Sequence, residues 1–154
     1  MSKPSVINYS AIKPVWTDAD LALRETGRPL SYRDLRVWKL ARDLSVEIHR
    51  LTLEKLPRFE LHEAGSQLRR AAKSIRANIV EGFGRRRYKL EFLKHLTYAE
   101  ASCDEALDHL DTLFETGSLA DRGVFESLRP RLVELGKSLN RLIAAVEREH
   151  ESVR

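Results

Sequence analysis

Eight cations fall within the 21 residues from Arg69 to Lys89: Arg69, Arg70, Lys73, Arg76, Arg85, Arg86, Arg87 and Lys89. Clusters of this kind suit phosphate backbones, because each neutralised phosphate releases condensed counterions. On a helix at 100° per residue with Leu68 as zero, Arg76, Arg69, Lys73 and Arg70 lie at roughly 80°, 100°, 140° and 200°, one basic face. Arg85–Arg87 and Lys89 follow, flanked by Phe83 and Tyr88, rings able to stack on unpaired bases. The competing use of such cations is pairing with carboxylates of neighbouring helices or subunits.

A second stripe on the same helix is polar. Glu81, Ser74, Gln67 and Asn78 lie at about 220°, 240°, 260° and 280°, between the basic and apolar faces. Such a stripe suits a hydrogen-bond network buried in the fold or at an interface, where every member needs a partner. A structural or assembly role is expected for these residues and for Gly82. Trp38, turned away from the centre of its own helix's apolar stripe, is expected to pack against a neighbouring helix or subunit. Further along, Glu100, Asp104, Asp108, Asp111 and Glu115 share an acidic arc that could pair with the basic face within the bundle or between copies.

Catalytic chemistry has little to work with. A di-iron bundle needs Glu-x-x-His on each of two helices plus a Glu from each of the other two. Here the pattern occurs once, at Glu147-Arg-Glu-His150, and His49, His62, His95, His109 and His150 show no paired spacing. His95 and His109 are expected at the edge of an apolar stripe. Cys103 sits in mid-stripe, as a buried core thiol would. Gly82-Phe-Gly84 is too short for a phosphate-cradling loop and follows a helix, whereas a P-loop follows a strand. We therefore expect no catalytic residue, no metal and no cofactor.

Four amphipathic stripes position these residues. The first joins Val37, Leu40, Ala41, Leu44, Ile48 and Leu51, with Ser31 or Asp34 as cap and Pro57 as the end. The second joins Leu68, Ala71, Ala72, Ile75 and Ile79, with Gly82 and Gly84 closing it. The third runs through Phe92, Leu96, Ala99, Cys103, Ala106, Leu107, Leu110 and Phe114 to a stop at Gly117. The fourth holds Leu128, Leu132, Leu135, Leu139, Leu142, Ile143 and Val146; if Asp121 caps it, Pro130 lies inside and should kink it. Short connectors between long stripes predict an all-α, antiparallel up-down-up-down four-helix bundle over 32–150.

Residues 1–31, broken by Pro4, Pro14, Gly27 and Pro29, read as a partly ordered N-terminal extension, with a short helix over Asp18–Arg24 capped by Thr17. The 154 residues carry a formal charge of +4, one cysteine, and 42% hydrophobic and 32% charged residues. No internal disulfide can form, a core of this size needs no staple, and no apolar run nears the ~18–20 residues of a membrane span. A cytoplasmic protein without a membrane partner is expected.

The segment Tyr32-Arg33-Asp34-Leu35-Arg36-Val37-Trp38 resembles the F-x-D-L-x-V-W opening of the 23S rRNA-intervening-sequence proteins, also called S23 or four-helix-bundle proteins. Gln67-Leu68-Arg69-Arg70-Ala71-Ala72, then Ser74-Ile75, then Asn78-Ile79-Val80-Glu81-Gly82-Phe83-Gly84-Arg85, resembles their QLRRAA…SI…NIAEG.GR signature. Ala101-Ser102 with Glu105 resembles their GS..E element. The likeness spans about 32–146. Arg76 replaces the usual proline, Ala101 a glycine and Val80 an alanine; the second helix should therefore be straighter and more basic than usual. The resemblance implies a bacterial homo-oligomer, a five-fold ring (a pentamer), without established enzymatic activity. It also implies kinship with accessory proteins of the reverse transcriptases of diversity-generating retroelements, which bind enzyme and nucleic acid. The reading reached is a non-enzymatic oligomer that binds RNA or other nucleic acid through the second helix and the loop after it. The alternative is a protein-binding scaffold or accessory subunit.

Overall fold

The computed structural model describes residues 31–149. The expected Asp18–Arg24 helix and His150 lie outside them. Among the described residues are four helices and two short 3-10 turns: Tyr32–Asp34 leads into α1 (Arg36–Glu54), and Arg58–Leu61 leads from it to α2 (Ala64–Gly84). Next come α3 (Lys89–Glu115) and α4 (Arg122–Glu149). Each helix buries the stripe that its apolar spacing defines, since a helix must cover that face against a neighbour. Leu44, Ile48, Leu68, Ile75, Ile79, Leu96, Leu110, Leu128, Leu132, Leu135 and Leu139 are essentially inaccessible. Leu40, Leu107 and Ile143 are only partly buried, and Leu113, outside the predicted stripe, is fully buried.

Side-chain pairings fix the helix directions. Ser74 meets Ser102 while Asn78 meets His95, so α2 and α3 run antiparallel. Cys103 reaches Leu132 and Asp111 reaches Arg129, which sets α4 antiparallel to α3. Leu56 lies near Gly65, and Arg76 near Trp38, across the α1–α2 pair. Arg36–Glu134 and Arg131–Glu47 ion pairs close α1 against α4. The result is the up-down-up-down bundle that short connectors favour.

The helix ends differ in part from expectation. Ser31 and Asp34 cap the 3-10 turn reciprocally, with Ser31 N donating to Asp34 Oδ2 at 2.9 Å; α1 begins after Leu35 with no side-chain cap. Gly82 does not close α2, which runs through it to Gly84. Gly117 does end α3. Its φ of +79°, the left-handed region that glycine occupies without penalty, lets Leu119 N donate back to Leu113 O at 2.8 Å. Asp121 caps α4 through Val124 N at 3.1 Å, and the helix stays continuous across Pro130. A buried carboxylate invisible to periodicity ties two loops at one end of the bundle. Glu60 accepts from Gly65 N at 3.0 Å and from Ser118 Oγ at 2.7 Å.

Candidate nucleic-acid interface

The helix α2 turns one flank to α3 and the other to α1. On the α3 side, Ser74 Oγ and Ser102 Oγ share a hydrogen bond of 2.9 Å. Asn78 Nδ2 donates to Ser74 O at 3.0 Å and to its Oγ at 3.2 Å. That commits Asn78 Oδ1 as acceptor toward His95 Nδ1 at 3.3 Å, so this ring nitrogen carries the proton. A turn later, Gly82 makes room for α3. A Cβ there would stand 3.0 Å from His95 Cβ and 3.3 Å from Phe92 Cδ2. Of the predicted polar stripe, Ser74, Asn78 and Gly82 therefore join in one seam. Gln67 is exposed and outside it, and Glu81 faces solvent, pairing with Arg85. Ser102 and His95 complete the network from α3. Neither was among the expected site residues, because a stripe on one helix does not show which side chain opposes it.

The cations of the loop after α2 each make contacts within the chain. Arg85 Nε donates to Glu81 Oε1 at 2.6 Å and Arg85 Nη1 lies 3.5 Å from Glu91, which raises the guanidinium pKa; the same hydrogen bond lowers that of Glu81. Arg86 donates to Phe83 O at 2.8 Å while its guanidinium covers the Phe83 ring at 4.0 Å. Arg87 lies over Tyr88 at 5.1 Å, with its Nε buried. Lys89 Nζ donates to Glu147 O at 2.6 Å, tying the start of α3 to the end of α4. Tyr88 remains about half exposed.

The flank toward α1 is different. Arg69 turns inward, its Nη2 donating to Leu61 O at 2.9 Å. Arg70 and Lys73 are exposed, and among the described residues neither has an ion pair. The acidic face of α3 does not meet them within the chain. Asp111 pairs with Arg129 of α4 at 2.8 Å, while Glu100, Asp104, Asp108 and Glu115 make no ion pair among the described residues. Facing Lys73 and Arg76, Trp38 of α1 is only 2% exposed. Its ring meets Tyr32 edge-on at 5.3 Å. The guanidinium carbons of Arg33, Arg42 and Arg76 stand 5.6, 5.4 and 5.4 Å from its centroid. A groove of about 340 Å³ opens beside it, lined by Tyr32, Trp38, Lys73, Arg76, Ala77 and Val80. Trp38 thus packs within its own chain. Arg33 and Arg42 join this cluster although neither was an expected site residue; Arg42, one turn from Trp38 on the same face, was the available signal.

Burial, aided by Asp104 and Glu100, pushes the Cys103 thiol up to about 12, and Sγ donates to Leu132 O at 3.3 Å. Among the described residues, no three His, Cys, Asp or Glu side chains are grouped to hold a metal, and no helix is long and apolar enough to cross a membrane.

The family described as 23S rRNA-intervening sequence protein matches residues 33–141. A solved structure from Bacteroides thetaiotaomicron, described as a protein of unknown function from the S23 ribosomal protein family, superposes with a TM-score of 0.60 at 25% identity. The match covers 70% of this chain and 95% of that one. No protein of curated function matches the chain.

Proposed function

The chain belongs to the 23S rRNA-intervening sequence protein family, and from that premise we propose that it is a non-enzymatic bundle that binds nucleic-acid backbones along the outer face of α2. The observation that carries this reading is the contrast in cation use. Arg70, Lys73 and Arg76 form neither an ion pair nor a side-chain hydrogen bond among the described residues, whereas Arg85 pairs with the Glu81 carboxylate and Arg86 and Lys89 donate to the backbone carbonyls of Phe83 and Glu147. Unpaired cations along one ridge keep their full attraction for phosphates, and binding through them is largely blind to sequence. The interface thus centres on the helix, and the loop after it serves mainly to join α2 to α3 and α4.

One observation favours a second reading. Glu100, Asp104, Asp108 and Glu115 leave an acidic face on α3 opposite in sign to the ridge of α2. Two copies, or this chain and a protein partner, could pair these faces, which would make the protein a homo-oligomeric scaffold or accessory subunit.

The test is RNA binding against salt concentration, with light scattering, for wild type, Arg70→Ala/Lys73→Ala/Arg76→Ala and Arg85→Ala/Arg86→Ala/Arg87→Ala. The ridge variant should weaken binding and flatten the log–log salt slope by roughly 0.7 for each single-strand phosphate that is no longer neutralised. The loop variant should keep most of the affinity. Wild type that ignores RNA at low salt would sink the reading. A ridge variant that changes oligomeric state would move the role of α2 to assembly.

A further inference from the structure

The Trp38 groove has a composition that the rest of the ridge lacks. Its floor is apolar, from Tyr32, Trp38, Ala77 and Val80, and Lys73 and Arg76 line its side. Arg33 and Arg42 bring two more guanidiniums to the same indole. Each guanidinium carbon lies within 5.6 Å of the ring centroid, so any two are within about 11 Å of each other, close to one Debye length at 0.1 M salt. Salt screens their mutual repulsion only in part at that range. Only Arg42 has a carboxylate partner, Asp43 at 2.8 Å; Arg33, Lys73 and Arg76 have none among the described residues. An anion placed here would relieve repulsion as well as gain attraction. Guanidinium groups set over an indole still present N–H edges, which suit phosphate oxygens.

Building on the nucleic-acid reading, we propose that this groove seats one unpaired nucleotide of a single strand. The phosphate lies among Arg33, Arg42, Lys73 and Arg76, and the base and sugar lie against Tyr32, Ala77 and Val80. The volume of about 340 Å³ stands at the small end of ligand clefts, which span roughly 300–1,000 Å³. A duplex offers its phosphates to the ridge but keeps its bases in the stack, so only an unpaired base reaches an apolar floor. The groove thereby adds a preference for single strands to a sequence-blind ridge.

The experiment uses the full chain with Trp16→Phe, which leaves Trp38 as the sole tryptophan. A short oligouridylate and a blunt RNA duplex of equal phosphate count are titrated against it at fixed salt. The expected result is a change in Trp38 emission with the oligouridylate and none with the duplex. Single-strand affinity should be higher by roughly tenfold, which corresponds to about 1.4 kcal/mol and is the scale of stacking a single base. Ala77→Leu fills the groove without altering charge at an exposed helix position, and should bring single-strand affinity down to the duplex value while the salt slope is retained. Arg33→Ala/Arg42→Ala, on exposed α1-side positions, should reduce the single-strand preference likewise. Equal affinity for both probes, an unresponsive Trp38, or an indifferent Ala77→Leu would overturn the proposal while leaving the ridge reading intact. Absence of salt-sensitive binding to either probe would remove both.

Discussion

The two flanks of α2 are built from one short sequence and end in opposite states. Toward α3, Ser74, Asn78 and Gly82 are closed in by Ser102, His95 and Phe92, and the polar atoms find partners across the seam. Toward α1, Lys73, Arg76, Ala77 and Val80 border an open groove whose cations, apart from Arg42 with Asp43, have no carboxylate partner among the described residues. A satisfied flank contributes stability and has nothing left to offer a ligand. An unsatisfied one contributes little stability and keeps its capacity for binding. On the proposed reading, one helix separates fold from binding by which neighbour each face meets.

Substitutions can test that separation. The largest stability effect is expected from Gly82→Leu. A Cβ there would already meet His95 Cβ at 3.0 Å, and forcing further carbons into a packed seam costs about 1–3 kcal/mol or more. A lower melting temperature with a binding slope unchanged at a temperature where the fold persists would support the division. Unchanged stability would show that the α2–α3 seam is looser than its distances imply. Asn78→Ala should follow, at about 1–3 kcal/mol, because it strands the half-buried groups that Asn78 now pairs; urea unfolding midpoints measure it. On the open flank, Arg70→Gln/Lys73→Gln should shift stability by no more than about 0.5 kcal/mol per site, as exposed positions do. A large loss there would mean that the ridge is engaged in assembly.

The smallest effect concerns Cys103. Its folded-state pKa of about 12 exceeds the ordinary 9.0, so the native thiol should resist alkylation at pH 8 and react only on unfolding. Between pH 9 and 12 the unfolded chain releases this proton before the folded one does, so the folded state binds more protons and stability declines with rising pH. Cys103→Ala should make that decline shallower, as chemical denaturation at a series of pH values would show.

The apolar spacing located all four helices. The buried leucines of α4 are those that its stripe contained, because a helix of period 3.6 offers one face to a core wherever it packs. Gly117 as a stop and Asp121 as a cap follow from local backbone chemistry, which needs no knowledge of neighbours. Gly82 was legible as a special position, but it is not a stop. Its reason is the close approach of His95 and Phe92 from another helix. Pro130 lies inside α4, as a start at Asp121 requires, and the helix runs through it from Arg122 to Glu149.

What the sequence determined alone was periodicity, caps and the count of charges: the helices, their core faces, and a second helix carrying many cations. It could not decide which cations remain available, because that depends on which partners the fold brings within reach. Glu91 holds Arg85 and the Glu147 carbonyl holds Lys89, whereas Arg33 and Arg42 join Arg76 around an indole that the helical wheel turns away from the apolar stripe. Charge is a property of residues, but whether a charge is already neutralised is a property of distance, and only the tertiary structure sets the distances.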